Sequence, residues 1–258
     1  MAFLIQFFLK NNLHSKRTIW MIVLSFIPVG FAALLWLLRP VLNREGVTLF
    51  GLYPQMSLLF YLHFLLPLMS VFMGTAVIAD EVDERTLPYL LVRPVSRRDV
   101  VLSKIISNTL TLGILLFVSL FLSYSLMAVE GGIGSWVKNM SVFLQSGGVL
   151  CLGALVYTPL FACLGGLIKR PVLVGLFFMI GWENTIGSFP GNIKLITIVH
   201  YLHVLFPPLQ KYNFINLVLP TKQVSDITAI LILLFLAALF TGLSMSLLYV
   251  REYRLEQS

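Results

Sequence analysis

Charge is what this 258-residue chain has least of. Asp, Glu, Lys and Arg together make up 11% of it, against 58% hydrophobic residues, whereas a water-soluble domain carries about 25% charged and about 45–50% apolar residues. So few polar side chains cannot cover a core with a surface suited to water. That excludes a soluble globular protein and makes lipid the solvent. Cysteine is nearly as scarce. Cys151 and Cys163 stand about 18 Å apart along a helix, too far for a disulfide, which needs Cα atoms within about 7 Å. No G-x-x-x-x-G-K-[ST] occurs, so this chain cannot cradle nucleotide phosphates itself. Nor is there an H-E-x-x-H, a Cys/His metal cluster or a nucleophile elbow, and the nine methionines are scattered without motif. A polytopic membrane enzyme would therefore lack any catalytic constellation. A cleavable secretory signal is also missing: "MAFLIQFFLKNNLHSKR" puts its apolar part before its basic part, the reverse of a signal peptide.

What is there is apolar length. A bilayer core takes about 20 helical residues, and six runs meet or approach this, near 18–38, 57–79, 105–129, 147–168, 172–189 and 226–250. The predicted fold is all-α, a single polytopic membrane domain over 1–258 with six transmembrane helices and no internal repeat or linker. Pro28, Pro67 and Pro159 fall inside spans, where neighbouring helices can re-satisfy the freed carbonyls. Glu183 and Asn184 interrupt the fifth run.

Orientation follows from the basic residues. With the N-terminus inside, the cytoplasmic segments hold twelve of the 18 Lys and Arg: Lys10, Lys16, Arg17, Arg85, Arg93, Arg97, Arg98, Lys104, Lys169, Arg170, Arg251 and Arg254. The bias puts both termini in the cytoplasm and accounts for the net charge of +7, so no nucleic-acid partner is implied. The segment 193–208 could be a seventh span, and the charge count is the same either way. Its length, about 14 apolar residues ending in Pro207-Pro208, suits a re-entrant or interfacial helix better. Lys194, Thr197, His200 and His203 give it one polar stripe. The first 17 residues predict an interfacial helix, with Gln6, Lys10, His14 and Arg17 on one face and Ile5, Phe8, Leu9 and Leu13 on another.

The charge that exists is concentrated. "ADEVDERTLPYLLVRPVSRRDVVLSK" (79–104) carries ten charged side chains, about a third of the total. Glu81 and Arg85, four apart in the favourable order, carry span two on as a helix into the cytoplasm. Pro88 then interrupts or opens a new first turn, and Pro94 ends it. Ser96 with Asp99 three residues on is a capping-box pattern that starts the next helix. Between the prolines lies a short helix with Leu87, Leu90 and Leu91 on one face and charge around it. An ordinary positive-inside loop would explain the arginines, but not the leucines, which suggest docking to another protein.

Glu84, Arg85, Thr86, Leu90, Leu91, Pro94, Ser96, Arg97 and Lys104 resemble the signature of the permease subunits of ATP-binding-cassette transporters of the ABC type-2 family. The sequence departs from that pattern where Arg85 directly precedes Thr86, commonly glycine in the family, and in the extra Pro88. The six-span layout extends the likeness over the whole chain. The resemblance implies that this segment, Leu87 and Arg93 included, is the coupling helix that seats in a separate ATPase subunit. That partner, present in two copies, would bind ATP and Mg, with no cofactor in this chain. It also implies a second permease copy or paralogue, and most simply an exporter in the cell's inner or plasma membrane. The alternative within the resemblance is the permease-like subunit of a metalloenzyme or cofactor maturation complex.

Three polar features remain in apolar surroundings. Glu183 in "GWENTIG" is the only acidic residue deep within a span. Such a carboxylate is costly, so Glu183 with Asn184 is a pathway candidate, the alternative being a structural hydrogen bond. His63, in the outer half of span two, is either a packed imidazole or a further pathway group. His200-x-x-His203 shares one helical face and is a weak metal candidate.

Overall fold

The structure is a computed structural model that describes residues 2–13, 15–44, 46–83, 97–187, 192–208 and 224–255. Among them every regular element is helical. Helix α1 (Ala2–Leu13) is followed by α2 (Lys16–Leu37), whose N-cap Ser15 accepts from the Arg17 N–H, and by the short α3 (Arg39–Arg44). Then α4 (Leu49–Met56), a π-wound stretch π1 (Ser57–Leu65) and α5 (Leu66–Asp83) run on as one long rod. Helix α6 (Arg97–Ala128), short α7 (Gly132–Lys138) and α8 (Met140–Leu167) follow. Next, α9 (Pro171–Phe177) continues as π2 (Phe178–Ile186). A 3₁₀ turn (Asn192–Ile196) leads into α10 (Ile198–Leu205), and α11 (Asp226–Leu255) closes the chain.

Among the described residues five helices are long and apolar enough to cross a membrane: Lys16–Leu37, Leu49–Ile78, Arg98–Ala128, Met140–Leu167 and Asp226–Leu247. They correspond to predicted spans one, two, three, four and six. The predicted fifth span, 172–189, falls in a shorter apolar helix, Pro171–Glu183, below the length a bilayer needs. The rod begins at Leu49, eight residues before the predicted start of span two, because Thr48 caps it by accepting from the Gly51 N–H. Helix α6 is described from Arg97 on, and Ser96 of the capping pattern lies outside the described residues.

Helix α8 is the centre. It packs on α5 and α11 most extensively and also meets α6, α9 and α10. Glycines set its closeness to α5. A Cβ on Gly74 would lie 2.6 Å from the Thr158 carbonyl oxygen, and one on Gly165 would lie 2.6 Å from that of Thr75. The two backbones therefore touch, as small residues allow between helices in lipid. The outer helices keep apolar faces turned outwards, including Ile19, Trp20 and Phe26 of α2 and Ile227, Leu231 and Phe235 of α11. Lipid is the only solvent those faces suit.

Several polar groups inside the bundle are paired across helices. The Tyr61 hydroxyl on π1 lies 2.8 Å from both Ser119 and Ser123 of α6. Ser119 also donates to the carbonyl of Ser25, three residues before Pro28, where the proline disturbs α2's own ladder. Cys163 bonds the Phe240 carbonyl and lies 3.0 Å from the Ser244 hydroxyl of α11. The two cysteines are free thiols.

Candidate functional site

Two regions of the bundle gather the residues that matter. The first is the end where α5 stops at Asp83 and α6 starts at Arg97. The segment between them, with Glu84, Arg85, Thr86, Leu87, Leu90, Leu91, Arg93, Pro94 and Ser96, lies outside the described residues, as does the side chain of Arg97. Arg98 is exposed in the first turn of α6. What surrounds the segment is described. Helix α1 packs on α6 with Ile5, Phe8 and Leu9 half-buried and Gln6 and Lys10 exposed, the facing expected of it. Asn12 fixes it there: its amide nitrogen donates to Asn108 Oδ1 at 2.6 Å, and Asn108 Nδ2 donates to the Met73 carbonyl of α5 at 2.8 Å. One amide chain thus ties α1, α6 and α5 together. The Lys104 ammonium sits over the Phe8 ring, 5.5 Å from its centroid.

Two clefts open at this end. A polar one of about 420 Å³ lies between α1, α5 and α6, lined by Asn12, Lys16, Arg17, Lys104 and Asn108 among others. An apolar one of about 630 Å³ is walled by Trp20, Met21 and Leu24 of α2 and by Pro171 and Val172 of α9. Its floor is Met69, Phe72, Thr75 and Ala76 of α5. Arg17 and Ala76 line both clefts, so they adjoin.

The second region is at the opposite end, around α10. Lys194, Thr197 and His200 of the predicted polar stripe are buried. Lys194 lies in the 3₁₀ turn and Thr197 at the N-cap, while His200 is on α10 itself, which α8 and α11 cover. Glu183 on π2 is 2% exposed and accepts three hydrogen bonds: from Tyr157 Oη at 3.0 Å, from the Val199 N–H at 2.9 Å and from the Ile198 N–H at 3.3 Å. The costly buried carboxylate is thereby satisfied at a helix N-terminus, where negative charge is favoured. The side chain of Asn184 lies outside the described residues.

His63 and His203, 140 positions apart in sequence, meet with their Nε2 atoms 3.1 Å apart. His63 Nδ1 lies 3.0 Å from the Leu58 carbonyl, which fixes its proton on Nδ1. His200 stands one turn away with both ring nitrogens buried and unpartnered. Among the described residues no group of three or more His, Cys, Asp or Glu side chains is arranged to hold a metal ion.

Glu183, His63 and His203 stand out in the sequence, but nothing there pairs His63 with His203 or marks the other groups that hold this region. Tyr157 and Gln145 sit in an apolar helix with no local pattern to mark them, and Asn12 and Asn108 pair over 96 positions. Both His63 and Glu183 lie on π-wound stretches, a feature often found at functional sites but without a signature in residue spacing.

No curated protein matches the chain. A family model described as ABC-2 family transporter protein matches residues 6–254, nearly the full length. That match agrees with the resemblance of the 84–104 motif, and the apolar helices supply the membrane component such a transporter needs. The chain belongs to the ABC-2 transporter family and is a multi-pass membrane permease component, with ATP hydrolysis residing in a separate ABC ATPase subunit.

Proposed function

We propose that this chain forms the translocation pathway of an ATP-driven exporter. In this reading residues 1–258 are one membrane domain with both termini in the cytoplasm. Two permeases, identical or paralogous, combine with two ATPase subunits that bind the ATP and Mg. The segment 84–96 is the docking element, with Leu87, Leu90 and Leu91 seated in the ATPase. Glu84, Arg85, Arg93, Arg97 and Arg98 form its charged rim, and Thr86, Pro94 and Ser96 bound the short helix.

The observation that carries this reading is the continuity of α5. It is described as far as Asp83, next to the docking segment, and its side chains floor the apolar cleft. Closure of the ATPase pair pushes on the segment, and a stiff helix delivers that push to the cleft. A second permease facing the gap between α2 and α9 encloses the cleft into a passage, and rocking of the helices alternates its opening.

The apolar face carries the docking affinity. Burying a leucine contributes about 1.5–3 kcal/mol, whereas an exposed ion pair contributes about 0–1 kcal/mol. Leu90→Asp and Leu91→Asp strip the ATPase from the purified complex. Arg97→Ala and Arg98→Ala weaken it modestly, and more at low salt than at high. Copurification of the ATPase with each membrane-inserted variant is the measurement. Full retention of ATPase by both leucine variants would sink the docking assignment.

A further inference from the structure

Helix α10 is only eight residues long, about 12 Å, and its end residues Ile198 and Leu205 are buried. A helix leaves its first N–H and last C=O groups without internal partners, and inside a membrane protein each must be met by another element. The residue at its N-cap, Thr197, does not meet them. It makes no side-chain cap, because its hydroxyl donates to the Lys194 carbonyl at 2.7 Å. Glu183 of π2 takes the Ile198 and Val199 N–H groups instead, and Tyr157 of α8 braces the carboxylate. At the other end Gln145 Nε2, also of α8, donates to the Leu205 carbonyl at 3.0 Å. Between them His203 donates to the bare Nε2 of His63 on π1. A Cβ on Gly153 of α8 would lie 3.2 Å from Leu202 Cδ1 and 2.4 Å from Leu66 Cδ2, so Leu202 seats where α8 and the start of α5 converge. Both ends and the middle of α10 are held by side chains of π1, α8 and π2. Neither cleft described above reaches Glu183, and its oxygens are already occupied by three donors.

We infer that Glu183 is a positioning residue: it fastens α10 to the α9–π2 helix and so holds α10 as a plug that closes this end of the bundle between α5, α8 and α11. It has no direct contact with the transported molecule. The inference does not depend on export or on the ATPase docking, and its principal readout needs no cargo.

The test is cysteine accessibility. Val199→Cys, a near-isosteric change at a buried position that keeps the backbone N–H, is introduced into full-length permease carrying Cys151→Ser and Cys163→Ala. A small maleimide is applied to native membranes. With Glu183 intact, labelling is slow. Glu183→Ala raises the rate about tenfold or more, the factor that about 1.4 kcal/mol of lost fastening produces. Glu183→Gln raises it less, since one amide oxygen still accepts. If Glu183→Ala fails to insert, Tyr157→Phe, which removes only the brace, still raises the rate severalfold.

Thr197→Asp added to Glu183→Ala separates fastening from simple capping. It supplies a local acceptor for the same N–H groups without reconnecting α10 to π2, so yield recovers while labelling stays fast. Wild-type labelling in both inserted Glu183→Ala and Tyr157→Phe overturns the inference. So does recovery of slow labelling by Thr197→Asp, which reduces Glu183 to a cap.

Discussion

Gly165 offers a sharp test of the packing. A Cβ placed there meets the Thr75 carbonyl oxygen at 2.6 Å, Thr75 Cα at 3.1 Å and the Thr75 carbonyl carbon at 3.2 Å. These are backbone atoms, so no rotamer change relieves the clash. Non-bonded contact needs about 3.5 Å, so α5 and α8 must part locally by roughly 0.9 Å. A gap of about 0.5–1 Å forfeits a quarter to a half of the dispersion energy across it, and this pair of helices forms the most extensive contact in the protein. Overpacking of this kind costs about 1–3 kcal/mol, a factor of about 5 to 150 in the folding equilibrium. Gly242 of α11 is the control, because nothing lies within 4 Å of its would-be Cβ. There Gly→Ala in a helix interior stabilises by about 0.5–1 kcal/mol. The same one-carbon substitution thus has opposite signs at two helical glycines. The assay is unfolding of purified permease by a denaturing detergent in mixed micelles, followed by tryptophan fluorescence. If Gly165→Ala unfolds no earlier than Gly242→Ala, the backbone contact between α5 and α8 is not what holds them.

Two further outcomes are expected. Asn108→Leu breaks the amide chain from Asn12 to Met73, at about 1–3 kcal/mol for the polar groups left behind. It frees α1, so limited proteolysis cuts near residues 10–17 faster while the spans stay protected; unchanged protection would show that apolar packing alone holds α1. Reporter fusions after Lys211 and after Ser258 read opposite sides of the membrane, external and cytoplasmic, and a cytoplasmic signal at Lys211 would make 193–208 a span.

The membrane class and five of the six predicted spans were legible because lipid writes composition and length directly into sequence. The relation of Glu183 to α10 was not. A lone carboxylate in an apolar run announces that something must satisfy it, yet its donors are backbone N–H groups, which every residue carries and no pattern distinguishes. The polar stripe Lys194–Thr197–His200–His203 was visible, but periodicity gives a face without saying what the face meets. It is buried because α8 and α11 cover it, and that is a matter of tertiary packing. The π winding at Ser57–Leu65 and Phe178–Ile186 shifts which side chains share a face, so helical spacing could not bring His63 to His203.

The groups that hold α10 stand at positions 63, 145, 157 and 183, all earlier in the chain than the helix they hold. A ribosome therefore completes every fastening before it makes the part to be fastened. When 198–205 emerges, the residues that form its berth have all been made. Helix α11, which covers it, is synthesised after it and acts as the lid on that joint. A nascent chain halted before Asp226 should already hold α10 in register, but with one flank bare to lipid.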